Sequence, residues 1–226
     1  IGRAEVVEAR MEREGLDLRR GQDFEIVDPQ DDPRYRQYWT TYHQLLRRKG
    51  VTPDLARTVL RTNTTAIAAL MVHRGEADSM ICGTFGQYNW HLNHVSQVLS
   101  GPKLAPVGAL SLMILDDGPL FLADTHVHRH PSPREISEIA IAAARHVRRF
   151  GVEPRVALIS DSEFGNLDSQ SGRTMREAID LLDAKNQSFS YEGEMHVDAA
   201  LDIVHRERVY PEGRLSGRAN VLVFSN

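Results

Sequence analysis

Three histidines, His126, His128 and His130, alternate along the run ADTHVHRHP, with the Asp124 carboxylate in phase. Alternation places side chains on one face of a strand, so imidazole and carboxylate groups at this spacing have the pattern of a metal site. Pro131 interrupts the strand that such a site would need, and the run is read here as structural. A second polar group, Ser160-Asp161-Ser162, follows an apolar run from Arg155, where Ser162 faces a ligand cleft or is an ordinary turn residue. Arg47, Arg48 and Lys49 place three cations directly before Gly50. Such residues hold a phosphate group, or complete the dipole and terminal carbonyls of a helix. His91 and His94 fall three apart on one helix and are expected to pack near Trp90 or face solvent. No Gly-x-Gly-x-x-Gly fingerprint and no metal-binding carboxylate set is present.

The elements that must position these residues divide into two regions. The first, 1–104, is mostly helical. Val6, Val7 and Ala9 suggest an opening helix. Asp32-Pro33 starts a helix with Tyr35, Tyr38, Trp39, Tyr42, Leu45 and Leu46 at helical spacing, and Thr52-Pro53-Asp54 starts the next. Ala66, Ala69, Leu70 and His73 share a helical face that Gly75 can end. Ser79–Thr84 is short and apolar like a buried strand, Gly83 and Gly86 open a turn, and Asn89 is the expected N-cap of a helix through Leu99. The second region, 105–226, alternates strands and helices. Asp116-Asp117-Gly118 signals a hairpin between 107–115 and 119–124. Ser132-Pro133-Arg134-Glu135 is a capping box that begins a helix with an inward face from Ile136 to Phe150. A buried strand over 155–160, a helix over 171–185 and a strand over 220–224 complete an α/β layered pattern.

The chain has 226 residues, enough for a real core in one large domain or two small ones. A net charge of −4 and a pI near 6.2 argue against nucleic acid or a membrane surface as partner. The single cysteine, Cys82, falls in the predicted buried strand and reads as a core residue, which suits a reducing cytoplasm. There is no long apolar span and no signal-peptide pattern at the first residues. Both ends read as cut: Ile1-Gly2-Arg3 resembles the exit from a strand, and Val221–Phe224 stops where a ligand loop is expected to begin.

The segment RTNTTAIAALMVHRGEADSMICGTFGQYNWHLNHVSQVL, with DDPRYRQYWTTYHQLLRRKGVTPDLA, FLADTHV, IAIAAARHVRRFGVEPRVALIS and GRANVLVFSN, resembles the phosphotransacetylase-like domain at the C-terminal end of bacterial hybrid NADP-dependent malic enzymes. That domain is related to the true phosphate acetyltransferases, and the likeness covers nearly the whole chain. It implies two α/β/α layered subdomains with an inter-domain cleft, in the isocitrate dehydrogenase-like manner, incomplete at both ends. Residues 1–104 would be part of the first subdomain and 105–226 the second. It also implies acetyl-CoA as ligand, with Arg47 and Arg48 as phosphate contacts and Ser162 in the loop facing the cleft. Transition-metal chemistry is not implied. True transacetylases carry a Thr-Ala-Asp-x-x-Arg-Pro pattern; in the matching run Tyr88–His94, Asn93 takes the place of that arginine, and a neutral amide is a poor phosphate-binding group. The family's Ser-Arg pair with a nearby Asp lies past Asn226.

The resemblance implies a regulatory acetyl-CoA-binding domain with no catalytic residues of its own and a tendency to form homodimers or larger homo-oligomers. It would be joined to an N-terminal malic-enzyme domain that converts malate to pyruvate with NADP and magnesium or manganese. An active phosphate or acyl transferase using CoA thioesters is the alternative, and a ligand-free assembly domain the third reading.

Overall fold

The computed structural model describes residues 1–100 and 107–225. The chain divides into two compact units, Ile1–Lys103 and Leu104–Asn226. The boundary expected near Leu104 lies outside the described residues.

The first unit is helical: α1 (Ala4–Arg13), α2 (Tyr35–Leu46), α3 (Pro53–Thr62), α4 (Thr64–His73) and α5 (Tyr88–Leu99). Its starts follow the local chemistry. The Thr52 hydroxyl accepts the Leu55 N–H at the head of α3, and the Asn63 side chain accepts the Ala66 N–H at the head of α4. Gly50, in the left-handed region at φ 86°, ends the 3₁₀ turn Arg47–Lys49 that extends α2. Tyr38, Tyr42 and Leu46, one turn apart, pack with Ala56, Leu60, Ile67 and Leu70 into one core. Half of α4 is buried, Thr65, Ala66, Ile67, Ala69 and Leu70, in keeping with its nearly unbroken apolar sequence.

Ser79–Thr84 does not form the expected strand. It is a loop in which Ile81 is 97% exposed and Cys82 is exposed, so the cysteine is not a core residue. An apolar run becomes a strand only where a neighbouring strand takes its N–H and C=O groups. Among the described residues of this unit the only bridge is the isolated pair Arg20–Phe24. The last helix starts at Tyr88 with Gln87 as N-cap, which places Asn89 inside the first turn rather than at the cap.

The second unit is a three-layer α/β sandwich. Strands β1 (Leu110–Leu115), β2 (Gly118–Ala123), β3 (Arg155–Ile159), β4 (Ser190–Met195) and β5 (Val221–Phe224) form one sheet in the order β1-β2-β5-β3-β4. The β1–β2 pair is the expected antiparallel hairpin, turning at Asp116-Asp117, and all other pairings are parallel. Helices α6 (Pro133–Arg149) and α7 (Gln170–Ala184) cover one face, and α8 (Val197–Leu201) and α9 (Ile203–Val209) accompany the other. The strands obey period 2. Val156, Leu158, Val221 and Val223 meet α6 and α7, whereas Ala157, Ile159 and Leu222 meet Ala199, Ala200 and Leu215. The register of β5 is pinned by buried Asn220, whose side chain accepts from the Arg155 N–H at 2.7 Å and donates to the Glu153 carbonyl at 2.9 Å. Strand β4 and helices α8 and α9 go beyond the elements expected from sequence, because Glu192-Gly193-Glu194 breaks the apolar run that marks a buried strand.

Arg206 on α9 is 3% exposed and donates to the carbonyls of Ala199, Ala200, Leu215 and Gly217 at 2.6–3.3 Å. One planar guanidinium therefore fastens α8 to the segment that leads into β5. Replacing it by Met leaves four carbonyls without this donor, so Arg206→Met is expected to cost about 2–4 kcal/mol, read as a lowered urea midpoint. No described helix is long and apolar enough to cross a membrane.

Candidate functional site

Parallel pairing brings the C-terminal ends of β2, β5, β3 and β4 to one edge of the sheet, and the chain leaves that edge through α6 and α7. In an open α/β sheet this edge is where ligands bind. It holds a cavity of about 500 Å³, lined among others by His130, Ser132, Asp161, Gln170, Ser171 and Ser225.

Two helix N-termini contribute to this lining. At α6 the capping box is complete: the Ser132 hydroxyl accepts the Glu135 N–H, and the Glu135 carboxylate accepts the Ser132 N–H at 2.8 Å. At α7 the Ser169 hydroxyl accepts the Gly172 N–H at 2.9 Å and donates to Asp161 at 2.5 Å. That hydrogen bond holds the Asp161 carboxyl below its ordinary range, against a smaller opposing effect of desolvation. The hydroxyls of Ser171 and Ser225 lie 2.7 Å apart and join α7 to the residue that follows β5. The described lining thus combines hydroxyls, positive helix ends and one carboxylate, with no arginine or lysine side chain.

The loop that carries Asp161 is held from below by a buried charge. At the β3–β4 bulge, Leu158 pairs with Gly193 but Ile159 pairs with Met195. This extra residue lets Glu194 reach α7 while Met195 stays in the opposite core layer. A single Glu194 oxygen accepts from Ser162 Oγ at 2.8 Å, Gly165 N–H at 2.9 Å and Arg176 Nη1 at 2.6 Å. Ser162 is fully buried, and its hydroxyl also accepts the Leu167 N–H. Gly172 permits this closeness, since a Cβ there would stand 2.9 Å from Ser162 Cβ. Glu194 and Arg176 had no sequence signal, because neither lies in a motif and they meet only across the bulge.

Arg47 and Arg48 are exposed in the 3₁₀ turn of the first unit. Asn93 is also exposed, and its carbonyl oxygen accepts from Gln97 Nε2 at 3.2 Å. His91 is buried edge-on against Trp90, with ring centroids 4.7 Å apart. Its Nε2 lies 2.6 Å from the Phe85 carbonyl, which only accepts; Nε2 therefore carries the proton and Nδ1 accepts the Thr65 hydroxyl at 2.8 Å. This histidine fixes the loop before α5 beside a cavity of about 370 Å³ lined by Cys82, Gly83, Tyr88 and Leu92.

The alternating histidines do not share a strand face, because β2 ends at Ala123. Asp124 instead turns back into the fold. It accepts the N–H groups of Ala109, His126, Val127 and His128 and the His128 ring nitrogen, the last at 2.7 Å.

The second unit therefore belongs to the open α/β class that binds ligands at the C-terminal edge of a parallel sheet, in a cleft bordered by helix N-termini. Its sequence places it more narrowly: the chain belongs to the phosphate acetyl/butaryl transferase family, whose profile matches residues 1–226. It is 47% identical to the NAD-dependent malic enzyme of Rhizobium meliloti (strain 1021) and 45% identical to the NADP-dependent malic enzyme of Escherichia coli (strain K12). Each alignment covers 100% of this chain and 30% of the relative, so the chain spans about a third of the length of these proteins. A phosphotransacetylase from Streptococcus pyogenes has the same fold, with a TM-score of 0.88 and 24% identity over 100% of this chain and 68% of the other.

Burial pushes the Asp124 carboxyl upward, but the donors from Ala109, His128 and Val127 outweigh it and leave its pKa lowered. A depressed folded value means that the stabilisation is complete above the unfolded-state pKa of about 4 and is lost as pH falls through the folded value. Asp124→Asn is expected to cost about 1–3 kcal/mol near neutrality. The gap between wild type and variant should narrow as unfolding is followed into acid.

Proposed function

We propose that this chain is the phosphotransacetylase-like regulatory domain of a hybrid malic enzyme, and that it binds acetyl-CoA without transferring the acetyl group. One observation carries the reading: full-length similarity to two malic enzymes, each of which it covers only in part, coincides with a neutral Asn93 where the transferase pattern has arginine. Acyl transfer to phosphate needs converging cations and N–H donors to hold the phosphate and the charge that develops on the carbonyl. The cleft at the sheet edge supplies helix N-termini and hydroxyls but places the Asp161 carboxylate among them. With that carboxylate and no arginine or lysine in the described lining, the cleft is poorly suited to hold free phosphate for attack. Arg47 and Arg48 are the proposed contacts for CoA phosphates. Ser162 acts as a positioning residue, holding the Asp161 loop through Glu194.

In this reading the oxidation and decarboxylation of malate to pyruvate belong to an N-terminal malic-enzyme domain, which holds NADP and magnesium or manganese. Acetyl-CoA regulates that domain by binding one arrangement of a cytoplasmic homo-oligomer more tightly than another.

Calorimetric titration of the full-length protein with acetyl-CoA, and with free CoA as control, tests the proposal. Saturable binding without acetyl phosphate formation is expected, with affinity reduced roughly tenfold in Arg47→Ala through loss of about 1.4 kcal/mol of charge-assisted contact. Formation of acetyl phosphate would overturn it in favour of a transferase, and absence of binding would leave an assembly domain.

A further inference from the structure

We propose that Glu163, His196 and Asp198 form a binding site for a first-row divalent cation, with zinc as the ion that the donor set suits best. Their ligand atoms all lie within 4.8 Å of one another. A single imidazole with two carboxylates is a borderline donor set, and imidazole favours zinc over magnesium or calcium. Zinc holds nitrogen and oxygen ligands at about 2 Å, so binding requires the three atoms to close in on one ion from that spread.

The placement is set by the backbone. Glu163 follows β3 and precedes the Phe164-Gly165 turn, while His196 is the N-cap of α8 and Asp198 lies in its first turn. These segments leave adjacent parallel strands at the same edge, and the Phe164 N–H to Glu194 carbonyl bond of 2.9 Å holds them together. The cluster is thus assembled by the fold, and the partly exposed positions of His196 and Asp198 leave an approach for an ion and its waters.

A second observation is that the Glu163 carboxylate is weakly satisfied. Glu163 Oε1 is buried and accepts no hydrogen bond, although the carboxylate is only 12% exposed. A buried carboxylate oxygen without a donor is costly. His205 Nε2 stands 3.4 Å away, too long for a good charge-assisted bond, and Nδ1 of the same ring lies 3.2 Å from Arg208 Nη2. Because a guanidinium can only donate, His205 Nδ1 accepts from Arg208, which leaves Nε2–H facing Glu163. It is therefore placed to support the Glu163 carboxylate rather than to ligate the ion. A cation between Glu163, His196 and Asp198 adds a counter-charge to the Glu163 carboxylate beyond His205 and clamps the β3–α7 loop to the start of α8. These residues adjoin the sheet-edge cleft, since Glu163 follows Asp161 by two positions and His196 helps to lower the Asp161 carboxyl, but the inference stands without the proposed function.

The test is zinc binding to the EDTA-stripped protein by competition with a chromophoric chelator, comparing wild type with His196→Gln and Asp198→Asn. Wild type is expected to take up one more equivalent than His196→Gln, with affinity at that site lowered more than roughly 100-fold, beyond the usual effect of removing an outer-shell partner. His205→Gln should keep the stoichiometry and lose roughly 10–100-fold in affinity. Zinc should raise the melting temperature of wild type but not of His196→Gln, and millimolar magnesium should not displace it. Circular dichroism in EDTA checks that each variant is folded, and Asp198→Asn decides the matter if His196→Gln is not. Equal stoichiometry and affinity in wild type and a folded ligand variant would overturn the site and assign the uptake to adventitious histidines.

Discussion

The second unit depends on the insertion of β5, last in sequence, between β2 and β3. Each flanking strand pairs with it in parallel, and each needs it to fill the gap that the crossover through α6 leaves. Asn220 sets this insertion: its backbone carbonyl accepts the Phe121 N–H and its N–H donates to the Arg155 carbonyl, while its side chain bonds to Arg155 and Glu153. A slip by one residue would turn Val221 and Val223 away from α6 and α7 and bring Leu222 in their place. The amide of one buried asparagine therefore fixes both the core and the edge at which the strands end.

From that edge the site follows with little freedom. Parallel strands require crossovers, and helices that follow β2 and β3 begin where those strands finish. Their positive ends consequently border one cleft. The β3–β4 bulge adds a constraint of another kind by bringing Glu194 under the loop, where Ser162, Gly165 and Arg176 converge on it. A buried carboxylate is tolerable only with such donors, so the loop carrying Asp161 is stiffened by the solvation demand of a charge beneath it.

Local chemistry was legible in the sequence. The Ser132 capping box, the Asp116-Asp117 hairpin, Gly50 after its basic turn and the apolar face of α6 each depend on residues within a few positions. What was not legible depends on partners far along the chain. Ser79–Thr84 has the composition of a strand, yet no described strand of its unit accepts it. Glu192-Gly193-Glu194 has the composition of a loop, yet lies in β4 because β3 lies beside it and Gly193 allows approach where a Cβ would meet the Leu158 carbonyl at 2.8 Å. The three histidines had a metal spacing, but Asp124 is consumed by backbone donors, whereas Glu163, His196 and Asp198 are scattered over 36 positions and meet only through the pairing of β3 with β4.

The same dependence separates what the fold preserves from what a site can lose. Asn220, Glu194 and Arg206 hold the second unit through buried bonds, and loss of any of them exposes backbone or charge without a partner. Asn93, Arg47 and Arg48 are exposed, so their identities are not imposed by the core. A substitution at such an exposed position therefore leaves the buried bonds of the second unit untouched. That asymmetry gives the proposed passage from transfer to sensing a physical route: a change at Asn93 disturbs no core contact, and the second unit remains held from within by its own buried bonds.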